Sequence, residues 1–97
     1  MKKIDKIKQI LEGKKQYLRD KYKIKEIGIF GSYVRGEQKK KSDLDILVEF
    51  EEVPGLFTFM EIENYLSDIF KIKVDLVMKD ALKPVIGKQI LREVITV

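Results

Sequence analysis

Apolar residues recur at three- and four-residue steps from Ile4 to Tyr22, at Ile4, Ile7, Ile10, Leu11, Tyr17 and Leu18, with Lys and Glu between them. That spacing predicts an amphipathic helix, weakened in its middle by Gly13. Glu26-Ile27-Gly28-Ile29-Phe30 is a short apolar run ending at Gly31-Ser32, which predicts a strand and then a tight turn. Ser32 is placed to cap a short helix through Tyr33, Val34 and Arg35, and Gly36 to stop it. The polar stretch from Glu37 to Ser42 reads as a loop.

From Asp43 to Phe50 the alternation is clear, with Leu44, Ile46, Val48 and Phe50 on one face and Asp43, Asp45, Leu47 and Glu49 on the other. Pro54-Gly55 breaks the chain. Leu56 to Phe70 then places Phe59, Ile62, Leu66, Ile69 and Phe70 at helical spacing, a stripe suited to packing on a sheet. A third strand follows, with Val74, Leu76 and Met78 on one face and Asp75 and Val77 on the other. Asp80 or Pro84 opens a last helix through Ile86, Ile90, Leu91 and Val94. The predicted order is α-β-α-β-α-β-α, an α/β (α+β) domain over residues 1–97 with a three-stranded sheet. The helix between the second and third strands is long enough for a crossover, so those strands are expected to be parallel neighbours.

Composition narrows the chemistry. The 97 residues contain neither Cys nor His. Disulfides, thiolate nucleophiles, Cys-ligated metals and His-dependent triads are therefore excluded, and catalysis must use carboxylates, Lys, Tyr or Ser. No apolar run approaches the ~20 residues of a membrane span and no signal peptide is visible, so a cytoplasmic location is expected. Twenty Lys plus Arg against sixteen Asp plus Glu give a net charge of +4, which would favour anionic partners, although a solvated Lys-rich surface explains it better. The run Lys39-Lys40-Lys41 reads in the same two ways.

Alternation places Asp43 and Asp45 on one side of their strand, roughly 6.6 Å apart. Asp75 holds the same phase on its own strand, so neighbouring strands would bring three carboxylates together. Asp is depleted in strands, and three in phase call for more than surface solubility. Their mutual repulsion would be relieved by a hard divalent cation, for which oxygen donors are the natural ligands. Just upstream, Gly31 and Ser32 follow a strand and open a helix, where backbone N–H groups, an absent Cβ and a hydroxyl suit a phosphate.

Gly31-Ser32-Tyr33-Val34-Arg35-Gly36 through Ser42-Asp43-Leu44-Asp45-Ile46-Leu47-Val48 resembles the signature of the minimal nucleotidyltransferase (MNT) family, within the DNA polymerase beta-like nucleotidyltransferase superfamily. The pattern Gly-Ser, ten residues, Asp-x-Asp is matched without a gap, and the similarity extends through Val74-Asp75-Leu76-Val77 to Leu91-Arg92-Glu93-Val94-Ile95. The resemblance implies an ATP-dependent transferase with a mixed three-stranded sheet. Asp43, Asp45 and Asp75 would be catalytic and would hold Mg²⁺, two ions by analogy, with Asp75 also able to activate the attacking hydroxyl. Gly31 and Ser32, with Arg35 ranked below them, would bind the nucleotide. Similar proteins pair with a HEPN-family RNase toxin, and the resemblance implies an antitoxin that transfers AMP from ATP to a tyrosine of that partner.

Two other readings follow from the same residues: an antitoxin that neutralises its partner by binding alone, and a transferase acting on a small alcohol. The second would need acceptor-binding segments that this chain lacks. Direct nucleic-acid binding is not expected, because aromatic stacking motifs are absent. Tyr17, Tyr22, Tyr33 and Tyr65 are expected to pack, Glu37 and Glu49 to sit on the surface, and Ser42 to bond backbone at the strand entry. The apolar ends Ile95 and Val97 are expected to be exposed and to bury against another subunit, a second copy or a toxin.

Overall fold

A computed structural model describes residues 2–97. Its elements are α1 (Lys3–Tyr22), β1 (Ile24–Phe30), α2 (Ser32–Arg35), β2 (Leu44–Phe50), α3 (Leu56–Phe70), β3 (Val74–Met78), a 3-10 turn (Lys79–Ala81), α4 (Pro84–Glu93) and β4 (Ile95–Thr96). The sheet has four strands rather than the expected three, in the order β3-β2-β1-β4. It is mixed: β2 runs parallel to β3, while β1 is antiparallel to both β2 and β4. The α3 crossover therefore does what its length predicts.

One face of the sheet carries the core. Ile27 and Ile29 of β1 lie in register with Val48 and Ile46 of β2, and Leu44 with Val74 of β3. All are buried, together with Leu11 and Leu18 of α1 and Ile62 and Leu66 of α3. The helical stripes read from the periodicity are thus the ones that pack, and burying each such side chain stabilises the fold by about 1.5–3 kcal/mol. Tyr22 and Tyr33 join this core as expected, whereas Tyr17 stays exposed and stacks beside Tyr65 at 5.3 Å between centroids.

The opposite face is not simply polar. Leu47 is buried there, because the end of α4 covers that part of the sheet. Leu47, Leu91 and Val94 border a cavity of about 40 Å³ in this layer.

The fourth strand explains the correction at the C-terminal end. Ile95 pairs with Ile29 and Thr96 with Gly28, and the Val97 N–H donates to the Ile27 carbonyl at 2.9 Å. Ile95 and Val97 are consequently half-buried against their own chain instead of projecting toward another subunit. Gly28 permits the close approach: a Cβ there would lie 2.7 Å from Val94 Cγ2 and 3.0 Å from the Ile95 carbonyl oxygen. The predicted end of the last helix also moves by one residue, since Val94 is extended and follows the helix as its cap.

At the other edge, β3 turns backbone donors away from β2 and toward α3. The Val74 N–H donates to Ser67 Oγ at 2.9 Å, and the Leu76 N–H donates to Glu63 Oε2 at 2.9 Å. Ser67 in turn donates to the Glu63 carbonyl oxygen at 2.9 Å. Helix side chains thereby satisfy strand groups that an edge would leave to water.

Candidate active site

Asp45 enters the site because β2 is half-buried: Leu44 and Ile46 point into the core, which forces Asp45 to the other face. Its register partner on β3 is Asp75, and its partner on β1 is Phe30. Adjacent strands lie about 4.8 Å apart, so Asp45 and Asp75 are side-by-side neighbours. Asp43 precedes β2 by one residue, exposed but close enough to act electrostatically on Asp45. The entry is fixed from both sides. The Leu44 N–H donates to the Lys73 carbonyl at 2.8 Å, and Ser42 closes the loop by accepting the Lys39 N–H at its Oγ at 2.8 Å.

Burial, and then the charges of Asp75 and Asp43, hold the Asp45 carboxyl above the usual carboxylate range, with Arg35 opposing and Glu93 adding to the repulsion. An anion raised in this way is a group that a bound cation would stabilise. The donor set consists of carboxylate oxygens, which suits a hard cation such as Mg²⁺. Among the described residues, no three acidic side chains are drawn together tightly enough to form a finished metal cage. Oxygens from a bound substrate would complete such a coordination sphere, as is usual for Mg²⁺.

Gly31 lies against this group for a reason different from the one its sequence context suggests. Its φ of 81° and ψ of −154° belong to a region that side-chain-bearing residues avoid. A Cβ at that position would collide with Asp45 Oδ2. The absent side chain therefore makes room for the carboxylate, tying the turn after β1 directly to β2. Gly31 also takes over the capping position predicted for Ser32. Ser32 is the first residue of α2, which no side chain caps, while Gly36 in the left-handed region ends the helix as predicted.

Arg35 is held by two carboxylates. Its Nε donates to Glu37 Oε1 at 2.8 Å and its Nη1 to Glu93 Oε1 at 2.8 Å, so Glu37 is a surface group with a partner. Glu93, at the end of α4, also accepts the Gly31 N–H on Oε2 at 3.1 Å. The structure thus brings Gly31, Arg35, Asp45 and Asp75 together as predicted and adds Glu93, which periodicity did not single out. The signal available was local: a Glu in the last turn of a helix opposes the helix dipole and calls for a compensating partner elsewhere.

Lysines gather beside Asp43. Lys3, Lys40, Lys41, Lys71 and Lys73 line a groove of about 290 Å³ that also reaches Asp43 and Tyr33. A cluster of this sign favours an anionic reactant.

Comparison with known proteins shows the family of the chain. Residues 6–97 match the family described as nucleotidyltransferase domain. A protein adenylyltransferase, MntA, of Thermococcus cleftensis is 52% identical over 94 residues, covering 97% of this chain and 95% of that protein. Among solved structures, a toxin–antitoxin complex with AMP-PNP contains a chain that superposes with a TM-score of 0.74 at 27% identity, covering 93% of this chain and 70% of that one. A complex of a tri-AMPylated Shewanella oneidensis HEPN toxin with its MNT antitoxin gives a TM-score of 0.66 at 27% identity, covering 91% and 69%.

Proposed function

Because the chain belongs to the nucleotidyltransferase domain family, we propose that it works as an antitoxin, transferring AMP from ATP to a tyrosine hydroxyl of a HEPN-family toxin partner. The observation that carries this reading is the lateral pairing of Asp45 with Asp75, locked to the Gly31 turn by the space a Cβ would fill. Similarity to the Thermococcus adenylyltransferase and to the complex with an AMPylated toxin supports the acceptor class.

In this reading Asp43, Asp45 and Asp75 would hold the magnesium ions, two by analogy. Bound divalent cations supply electrostatic stabilisation of the attacking and leaving oxygens at phosphorus. The chain's residues do the rest. The Gly31-Ser32 turn and Arg35 receive the triphosphate, aided by the lysine groove that draws an anion to the mouth. Asp75, on the exposed edge of the carboxylate group, takes the proton from the tyrosine hydroxyl. The phenolic oxygen then bonds to the α-phosphorus, the bond from that phosphorus to the bridging oxygen breaks, and pyrophosphate departs.

The test is incubation with α-labelled ATP, Mg²⁺ and a HEPN-family protein from the same source. Label is expected on a tyrosine of the partner, and Asp45→Asn is expected to lower the rate by about a hundredfold or more while leaving the complex assembled. Unlabelled partner in a tight complex would instead establish neutralisation by binding alone.

A further inference from the structure

Gly31 and Arg35 have been assigned to the nucleotide's phosphates, yet both already donate to one carboxylate. Glu93 accepts the Gly31 N–H at 3.1 Å and two contacts from Arg35 Nη1, at 2.8 Å on Oε1 and 3.1 Å on Oε2. We propose that Glu93 is a built-in stand-in for phosphate, which the incoming triphosphate must displace before the site can load. The proposal rests on the nucleotide-binding reading of Gly31 and Arg35.

Three features of the contact support displacement over permanent attachment. First, the donors are of the type phosphate takes, a backbone N–H and a guanidinium, and a carboxylate and a phosphate compete for such donors by the same charge-assisted hydrogen bonding. Second, the carboxylate lies among its own kind. Glu93 stands close enough to Asp45 to add to the repulsion there, and it sits at the negative end of the α4 dipole. Among the described residues, the contacts to Arg35 and Gly31 are the ones that offset those two penalties. Third, the Glu93 side chain is only partly buried, with 23% of it exposed. Glu93 can leave by rotating about its side-chain bonds, with no strand or core residue obliged to move.

The role differs from that of a metal-binding carboxylate. A ligand would strengthen loading, whereas a resident competitor weakens it and discriminates against reactants with too few phosphates to replace both of its contacts. Nucleoside triphosphate is favoured over nucleoside monophosphate on this account, because only the longer anion supplies several phosphate groups to the vacated donors.

Calorimetric titration separates the possibilities. Wild-type protein and Glu93→Gln are titrated with a non-hydrolysable ATP analogue plus Mg²⁺, and separately with tripolyphosphate alone. Glu93→Gln keeps the shape and removes the charge, so both ligands are expected to bind it about three- to tenfold more tightly. In the wild-type protein, the Gly31 amide and the Arg35 side-chain NMR signals are expected to shift together when tripolyphosphate is added, a readout that needs no variant to fold. Equal or weaker binding by Glu93→Gln, with Gly31 and Arg35 signals that still shift, would overturn the displacement while leaving nucleotide binding intact; signals that stay fixed at saturation would overturn both the displacement and the assignment of Gly31 and Arg35 to phosphate. If neither protein binds the analogue, the displacement and the nucleotide reading fail together.

Discussion

Asp45 concentrates the electrostatics of the site in one side chain, and its raised carboxyl has a consequence for stability. A carboxyl whose folded pKa lies above its unfolded value favours folding most when protonated, and that contribution is lost as pH rises through the folded pKa. At pH 7 the ionised Asp45 is therefore a burden on the cation-free protein. Asp45→Asn is expected to melt a few degrees higher than the natural chain at pH 7 in EDTA, with the gap closing as pH falls to the ordinary carboxylate range. Differential scanning calorimetry across that range checks it, and a variant that melts lower at pH 7 would contradict it. The lateral pairing of Asp45 with Asp75 was legible because strand alternation fixes the face of each residue locally, whereas Asp43 lies one residue before β2. Glu93 was legible only as an acid at the unfavourable end of a helix, since its partner Gly31 lies 62 residues away and only the folded chain brings them together. Gly31 was legible as a special position but not for its actual cause, because the atom that forbids a Cβ belongs to a different strand.

Among elements, the long amphipathic ones were readable and the shortest was not. α1 and α3 declare themselves by periodic stripes, and β2 by alternation. β4 has two residues, too few for any period, and exists through pairing with β1 across most of the chain. Its one trace is Gly28, a glycine inside an otherwise apolar strand that admits a close neighbour. Gly28→Ala sets two effects against each other. Removing glycine's extra freedom gains about 0.5–1 kcal/mol in a strand, while overpacking costs about 1–3 kcal/mol. The clash should win, because one of the atoms in the way is the Ile95 backbone carbonyl oxygen, which cannot rotate aside. Urea unfolding is expected to show a net loss, and the Val97 amide is expected to lose protection from hydrogen exchange. Unchanged stability would mean that β4 shifts without cost.

At the scale of the whole molecule, the net charge of +4 is distributed unevenly, with five lysines around one groove beside Asp43. Screening at about 10 Å in 0.1 M salt shortens to about 3 Å at 1 M, so attraction exerted across the groove should fade with ionic strength. KM for ATP is expected to rise several-fold between low and high salt while kcat changes little, as steady-state kinetics at fixed free Mg²⁺ will show. A KM indifferent to salt would make these lysines ordinary surface charge.

The two lateral borders of the sheet differ in what they offer a visitor. Along β3, Ser67 and Glu63 already occupy the donors at Val74 and Leu76, so a foreign extended segment would find no hydrogen bonds to form with those amides unless α3 first let go. Lengthening the sheet from that border is thereby disfavoured, whether by a second copy stacking into a fibre or by a partner lending a strand. Recruitment along that border proceeds through side-chain surfaces, which leaves the carboxylate-bearing end of β3 free of competing backbone traffic.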